Sequence, residues 1–151
     1  MRAELAALGP VDTLTVSTYS RGGDTFEALS TYDALLRHSA RYCIVENSFV
    51  AASAGSIIAM FGIEIRMVPA ALMMLHMPTS FMVGRAEAMR READRLDQIA
   101  DNLTNICAHR ITSHRTGRTA VEIRDWMESE IWFHAVTACD VGLCDTLLQA
   151  A

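Results

Sequence analysis

The pattern of apolar and polar positions predicts four β-strands in this chain. Asp12–Thr18 alternates and is rich in β-branched residues, and Ile63–Val68 alternates in the same way. Tyr42–Val45 is a short apolar strand between them. Ala71–Leu75 is a near-continuous apolar run, as expected of a strand buried on both faces. Helical patterns lie between these strands, so the sequence predicts an α/β domain.

Apolar positions at helical spacing predict the helices. After a short helical start they are Thr25–Arg37, a small-residue helix within Phe49–Met60, Gly84 to about Arg115, Ala120–Met127 and Ala135–Val141. Thr119 and Glu122 have the spacing of a capping box, and Gly142 ends the last helix. The 151 residues fit one domain, 1–151, with no internal repeat.

The element from Gly84 to about Arg115 is the longest. Its apolar positions form one stripe, and its charged positions form a solvated face. Thirty helical residues span roughly 45 Å, which is longer than a domain of this size needs. We therefore expect this helix to project and to pair with another subunit.

Composition excludes several classes of function. The net charge is −5, and the 13 basic residues form no concentrated stripe, which argues against nucleic-acid binding. Two long uncharged runs contain glycine, proline or histidine and lack basic flanks, so we interpret them as core rather than membrane spans. No signal peptide, P-loop or metal-ligand spacing is evident. The four cysteines lack zinc-type spacing, so we expect them to be free thiols of a protein in a reducing compartment.

Candidate chemistry centres on Ser53, the serine that opens the small-residue helix. A nucleophile there would have small neighbours and unpaired helix N–H groups for a developing anion, whereas a structural serine would simply cap the first turn. Gly22-Gly23 suits a turn or an anion-binding loop. His76 follows an apolar strand and precedes the rigid Met77-Pro78, so its imidazole would be fixed at a strand end. Spacing alone leaves these alternatives open.

Several motifs, in order, resemble those of the Clp protease proteolytic subunit in the wider ClpP/crotonase superfamily. The resemblance covers about residues 12–148, and phage and prophage members look most similar. The segments are Ser20-Arg21-Gly22-Gly23-Asp24-Thr25-Phe26-Glu27-Ala28, Ala51-Ala52-Ser53-Ala54-Gly55-Ser56, Met74-Leu75-His76-Met77-Pro78, Thr116-Gly117, Met127–Trp132 and Ala138-x-x-x-Gly142-Leu-x-Asp145. The resemblance implies a fold of repeated β-β-α units with a long projecting handle helix.

The resemblance also implies roles for individual residues. Ser53 matches the nucleophile, His76 the general base, and Glu130 the position of the orienting acid. The oxyanion hole would be formed by the backbone N–H groups of Gly23 and Ala54. Substrate would lie as an extended strand between Gly23–Phe26 and Thr79–Val83. The expected substrate-binding residues are Gly22, Asp24, Thr25, Pro78, Thr79 and Ser80.

Expected partners follow from the same resemblance. They are a peptide or unfolded protein substrate and further copies of the chain in a seven-membered ring or stacked double ring. A cytoplasmic location is expected, with no cofactor, metal, nucleic acid or membrane. Members usually carry 20–40 further N-terminal residues, including a first strand and an axial loop that docks an unfoldase. Their apparent absence here makes a Clp ATPase partner less secure.

The sequence departs from the family pattern at three positions, and two further functions stay open. Arg21 replaces the rigid proline of the oxyanion loop, and Ile131 stands where ATPase-partnered members usually have arginine. Glu130 is one methylene longer than aspartate, so Asp125 or Glu128 could substitute for it. The alternatives are a crotonase-like acyl-CoA enzyme, which shares the fold and an oxyanion hole, and a catalytically silent ring subunit.

Overall fold

The structure, a computed structural model, describes residues 2–113 and 117–149. Twelve elements occur in that part of the chain, and their order confirms the α/β prediction. They are α1 (Arg2–Leu8), β1 (Thr13–Ser20), α2 (Thr25–Leu36), β2 (Tyr42–Ala52), α3 (Ala54–Ala59), β3 (Glu64–Met67), β4 (Leu72–Met74), α4 (Ala86–Ser113), α5 (Ala120–Glu128), β5 (Trp132–His134), α6 (Ala135–Asp140) and β6 (Thr146–Leu147).

Strand β2 is the centre of a six-stranded sheet. One of its edges pairs with β1. Its other edge pairs first with β3, through Ile44 to Asn47, and then with β4, through Val50 to Ala52, all in parallel. Strand β6 continues the sheet beyond β3, and β5 pairs antiparallel with β4. The carboxyl ends of β2 and β4 therefore meet at the same place.

The prediction for Phe49–Met60 is wrong in its first part. Strand β2 does not end at Val45 but runs on through Phe49 to Ala52, and the helix begins only at Ala54. Ala51 and Ala52 are fully covered, since β1 and β4 lie on either side of them. A run of small apolar residues is compatible with a buried strand or a buried helix, and pairing with two neighbours decided the outcome.

The short strands β5 and β6 were not predicted. They contain three and two residues, too few for a periodicity to appear. The predicted capping box of α5 is confirmed: Thr119 Oγ1 accepts from the Glu122 N–H, and the Glu122 carboxylate accepts from the Thr119 N–H.

Helix α4 confirms the long helix that was predicted from Gly84 onward, and its first half is the part that projects. Its 28 residues span about 42 Å. Residues 86–98 are exposed or half-buried, whereas Ile99, Leu103, Cys107 and Ile111 are buried in the core. The predicted end at Arg115 and residue Thr116 of the family-like segment lie outside the described residues. Within the described part, no helix is both long enough and apolar enough to span a membrane.

A buried ion pair joins the base of α4 to the sheet. Arg110, which is 5% exposed, pairs with the Asp145 carboxylate. The same carboxylate accepts a 2.6 Å hydrogen bond from the Ile65 N–H at the start of β3. Ser53 and His76 follow the carboxyl ends of β2 and β4, whereas this ion pair lies at the start of β3. It therefore stabilises the sheet rather than the candidate site.

Candidate active site

Ser53 lies at the junction between β2 and α3, in an uncommon backbone conformation. Its φ of 56° and ψ of −125° place a non-glycine residue at positive φ, which costs energy and is frequent at functional sites. Its N–H donates to the Met74 carbonyl at 3.0 Å, and its own carbonyl accepts from the Ser56 hydroxyl at 2.6 Å. The Ser53 side chain makes no capping hydrogen bond, so the structure rejects the helix-cap interpretation.

The Ser53 hydroxyl instead contacts His76. Ser53 Oγ and His76 Nε2 are 2.6 Å apart, and both residues are partly buried. Strand pairing explains the contact, because Ala52 lies beside Met74 and each strand then delivers its next residues to the same edge. The distance suits a hydroxyl donating to a neutral imidazole nitrogen, which is the arrangement that activates a serine nucleophile.

Two glycines let the loop after β1 pack against the Ser53 turn. Gly22 has φ +112°, and a Cβ there would lie 2.7 Å from Ser53 Cβ. A Cβ on Gly55 would lie 2.7 Å from Ser20 Cβ. Gly23, by contrast, has open space where a side chain would be. The expected close approach is present, and Gly22 and Gly55 are the glycines that it requires.

A cavity of about 100 Å³ opens beside the Ser53–His76 pair. Gly23 and Ala54, the two predicted oxyanion donors, both line it. Neither of their N–H groups has a hydrogen-bond acceptor among the described residues. The rest of the wall carries no charged side chain and is formed by Thr25, Ala28, Ser56, Ile57, Leu75, Pro78, Thr79, Leu103 and Met127.

The expected substrate-binding residues divide between this cavity and a neighbouring one of about 340 Å³. Thr25, Pro78 and Thr79 line both, whereas Asp24 and Ser80 line only the second. Gly22 lines neither and packs on Ser53 instead.

Two of these residues have further local roles. The Asp24 side chain caps α2, accepting from the Glu27 N–H at 2.9 Å. A hydrogen bond from Ser80, and then one from Arg95, lowers the pKa of Glu92. Because α2 begins at Thr25, the extended segment on this side of the cleft ends at Asp24 and does not reach Phe26.

Glu130 lies on the turn after α5, across from His76. The antiparallel register pairs Met74 with Trp132, and the Leu75 N–H donates to the Ile131 carbonyl at 3.2 Å. The ladder does not continue to Glu130, because that residue has φ 51° and lies in a turn. The Glu130 carboxylate is exposed and makes no hydrogen bond to the imidazole in the structure as described.

The two substitute acids are no closer to bonding with His76. Glu128 pairs with Arg124 at 3.4 Å, and Asp125 is exposed on α5. The backbone of the same region does hold the histidine strand, since the Met77 N–H donates to the Met127 carbonyl at 3.1 Å. The structure therefore brings together the serine, the histidine and the cavity, whereas none of the three candidate acids is hydrogen-bonded to His76 among the described residues.

The remaining histidines stand apart from the site. His38, His109 and His134 are half-buried or exposed, as expected, and His114 lies outside the described residues. Among the described side chains, no group of three or more histidine, cysteine, aspartate or glutamate residues could hold a metal ion.

Sequence reasoning missed two polar residues, one beside the nucleophile and one farther back on β2. Ser56 donates its hydroxyl to the Ser53 carbonyl, and Asn47 is fully buried between three strands. The Ser-x-x-Ser spacing was the available signal for the first. A single amide within the apolar β2 was the signal for the second.

Comparison with known proteins identifies the family. A search of the curated proteins found no match. The family model described as Clp protease matches residues 3–151, almost the whole chain. This match agrees with the mixed α/β sheet, the long helix and the order of the motifs. The chain therefore belongs to the Clp protease family, a family of peptidases that act on peptide and protein substrates and form oligomeric rings.

Proposed function

We propose that this protein is a serine endopeptidase in which Ser53 is the nucleophile and His76 the general base. The observation that carries the proposal is the 2.6 Å contact between Ser53 Oγ and His76 Nε2 beside a cavity of about 100 Å³. A serine hydroxyl is a weak nucleophile until an adjacent base accepts its proton, and this geometry supplies that base. The strained Ser53 backbone supports the proposal as well.

The reaction proceeds in two stages. Ser53 Oγ attacks the peptide carbonyl carbon while His76 Nε2 accepts the hydroxyl proton. The carbonyl oxygen becomes an oxyanion that receives hydrogen bonds from the Gly23 and Ala54 N–H groups, which lack other acceptors among the described residues. His76 then gives its proton to the leaving amine, and an acyl-enzyme ester remains on Ser53. Water, deprotonated by His76, hydrolyses that ester.

Glu130 is the proposed orienting acid. Two observations support this role: Glu130 precedes Ile131, whose carbonyl accepts from the Leu75 N–H next to His76, and the Glu130 side chain is exposed. An acid that accepts from His76 Nδ1 holds the tautomer in which Nε2 can accept the serine proton.

The substrate is proposed to lie extended along the Gly22–Asp24 loop and the segment after Pro78. Residues 78–83 belong to no helix or strand, so their backbone groups are open to pairing with a peptide. The wall of the cavity, which has no acidic or basic side chain other than His76, favours an uncharged substrate side chain.

Ring assembly through the α4 handle is part of the same proposal. Phe81 and Val83, which precede α4, are 92% and 80% exposed, and Met89 on its first half is 46% exposed. Apolar surface of this kind suits a contact with another copy. In this proposal the assembled chain is the proteolytic subunit of a Clp-like ring or a phage head-maturation protease.

The test is peptide hydrolysis by the assembled protein, with native mass measured in parallel. Wild type and Ser48→Ala, which alters an exposed serine on the same strand, are expected to cleave an apolar peptide substrate equally. Ser53→Ala and His76→Gln are expected to lose about a thousandfold or more in rate. Full activity in Ser53→Ala would refute the proposal. Binding of an acyl-CoA thioester without hydrolysis would favour the crotonase-like alternative, and assembly without activity would favour the silent subunit.

A further inference from the structure

Strand β2 changes partner on one edge, and Asn47 lies where it does so. Pairing with β3 ends at Asn47, opposite Met67, and pairing with β4 begins at Val50, opposite Leu72. On the other edge the register with β1 shifts between Thr18 and Ser20, so that three β2 residues face Tyr19 alone. The sheet therefore forks beside Asn47, which is 0% exposed.

Asn47 binds both ends of the segment that leads from β3 to β4. Its backbone carbonyl accepts from the Val68 N–H at 3.2 Å, just after β3. Its side-chain Nδ2 donates to the Leu72 carbonyl at 2.9 Å, at the start of β4. Its Oδ1 accepts from the Phe49 N–H at 3.3 Å, within the shifted part of β2. One amide thus binds a donor in the shifted part of β2 and the first carbonyl of β4.

The position of β4 controls the Ser53–His76 distance. Strand β4 has only three residues paired with β2, and His76 follows two residues after its end. A slip of one residue would move His76 by about 3.3 Å along the strand and turn it to the other face. A short parallel pairing resists such a slip weakly, and the Asn47–Leu72 bond fixes its first rung.

We infer that Asn47 is a positioning residue for the catalytic pair: its side-chain amide sets the register of β4 against β2 and thereby holds His76 against Ser53. This inference deepens the proposed function and rests on it. Asn47 touches neither substrate nor the reacting atoms, and it acts through Leu72 and Phe49.

Three variants and one control separate positioning from general stability. Asn47→Leu removes both side-chain hydrogen bonds at similar size. Asn47→Asp keeps the acceptor for Phe49 but can donate to Leu72 only when the carboxyl is protonated. Asn47→Ser is milder and cannot reach Leu72. The control is Thr18→Val. Thr18 lies on β1 and pairs with Asn47, and its buried hydroxyl donates to the Glu46 carbonyl rather than to β4.

The measurement is the rate at which a fluorophosphonate labels Ser53. Each variant is measured over a series of pH values, and its rate is divided by the wild-type rate at the same pH. Only protein that shows a cooperative melting transition is used. We expect Asn47→Leu and Asn47→Ser to label about 10- to 100-fold more slowly at every pH, and Thr18→Val to stay within about twofold. The Asn47→Asp ratio should rise toward one as pH falls, because protonation restores the donor. This pH-dependent rescue is not expected of a merely structural role.

Equal labelling rates in all Asn47 variants, or an Asn47→Asp ratio that does not change with pH, would overturn the inference. Failure of all three variants to fold would also overturn it, since Asn47 would then support the whole sheet. If wild type itself is not labelled, the proposed function fails. In that case the inference is tested by NMR. The ¹⁵N chemical shift of His76 Nε2, assigned by its loss in His76→Gln, is compared between wild type and Asn47→Ser, and a change shows that the contact with Ser53 Oγ is broken.

Discussion

Replacing Gly22 by alanine should disable the site through a single methyl group. Gly22 has φ +112°, a conformation that residues with a side chain rarely adopt. The added Cβ would lie 2.7 Å from Ser53 Cβ and 3.0 Å from Ser53 Oγ, where ordinary contact begins at 3.4 Å. The turn that carries the nucleophile must therefore move, because the new atom meets Ser53 itself.

The size of the effect follows from that overlap. The contact with Ser53 Cβ is about 0.7 Å too short, so a shift of that order is needed between the loop and the turn. Since a displacement of about 1 Å at a catalytic group costs roughly 100-fold, we expect Gly22→Ala to slow labelling of Ser53 by about 10- to 100-fold. Backbone strain adds about 1–3 kcal/mol of destabilisation.

Two other glycines separate overlap from strain. Gly9 has φ +67° and open space where a side chain would be, so Gly9→Ala introduces strain without overlap. Gly55 would place a Cβ 2.7 Å from Ser20 Cβ without a positive φ, so Gly55→Ala introduces overlap alone. Labelling rates and thermal midpoints are measured for all three variants. A wild-type labelling rate in folded Gly22→Ala, or an equal loss in Gly9→Ala, would refute the reasoning.

Three further predictions concern the acid, the scaffold and a helix cap. Glu130→Gln should slow peptide hydrolysis by at least about tenfold without changing the melting temperature, and unchanged turnover would exclude Glu130 as the orienting acid. Asp145→Ala should lower the free energy of unfolding by about 3–5 kcal/mol in urea titrations, because it removes the carboxylate that both pairs with buried Arg110 and accepts from the Ile65 N–H; a change below about 1 kcal/mol would contradict this. Hydrogen bonds from the Thr119 backbone and then from Arg118 lower the pKa of Glu122 below its usual 4.5. The ionised Glu122 carboxylate therefore stabilises the folded protein fully above pH 4.5, and this contribution is lost as the pH falls through the lowered pKa. The melting temperatures of wild type and Glu122→Gln should therefore converge in acid, and a gap that persists there would count against the cap.

The sequence predicted most of the elements because their periodicity is local. Helix α4 and the capping box at Thr119 follow from apolar spacing and side-chain chemistry within a few residues. The extent of β2 depends instead on burial between two other strands, which no local pattern records. For the same reason β5 and β6 were missed, since each is defined by the strand beside it.

The candidate site was predicted through the family resemblance rather than through spacing. Ser53 and His76 are 23 residues apart, and only the fork in the sheet brings their side chains together. The need for small residues near Ser53 was foreseen, whereas the specific approach of Gly22 and Gly55 is a matter of three-dimensional packing. The role of Asn47 could not be predicted from the sequence, because it depends on hydrogen bonds to Leu72 and Phe49 that only the structure shows.

The central claim is that Ser53 is the nucleophile activated by His76, and mass spectrometry of a fluorophosphonate adduct tests it most directly. After reaction of the assembled protein and proteolytic digestion, the account predicts one phosphonylated residue, Ser53, with labelling lost in folded His76→Gln. An adduct on any other residue, or labelling of Ser53 that persists at the wild-type rate without His76, would contradict it.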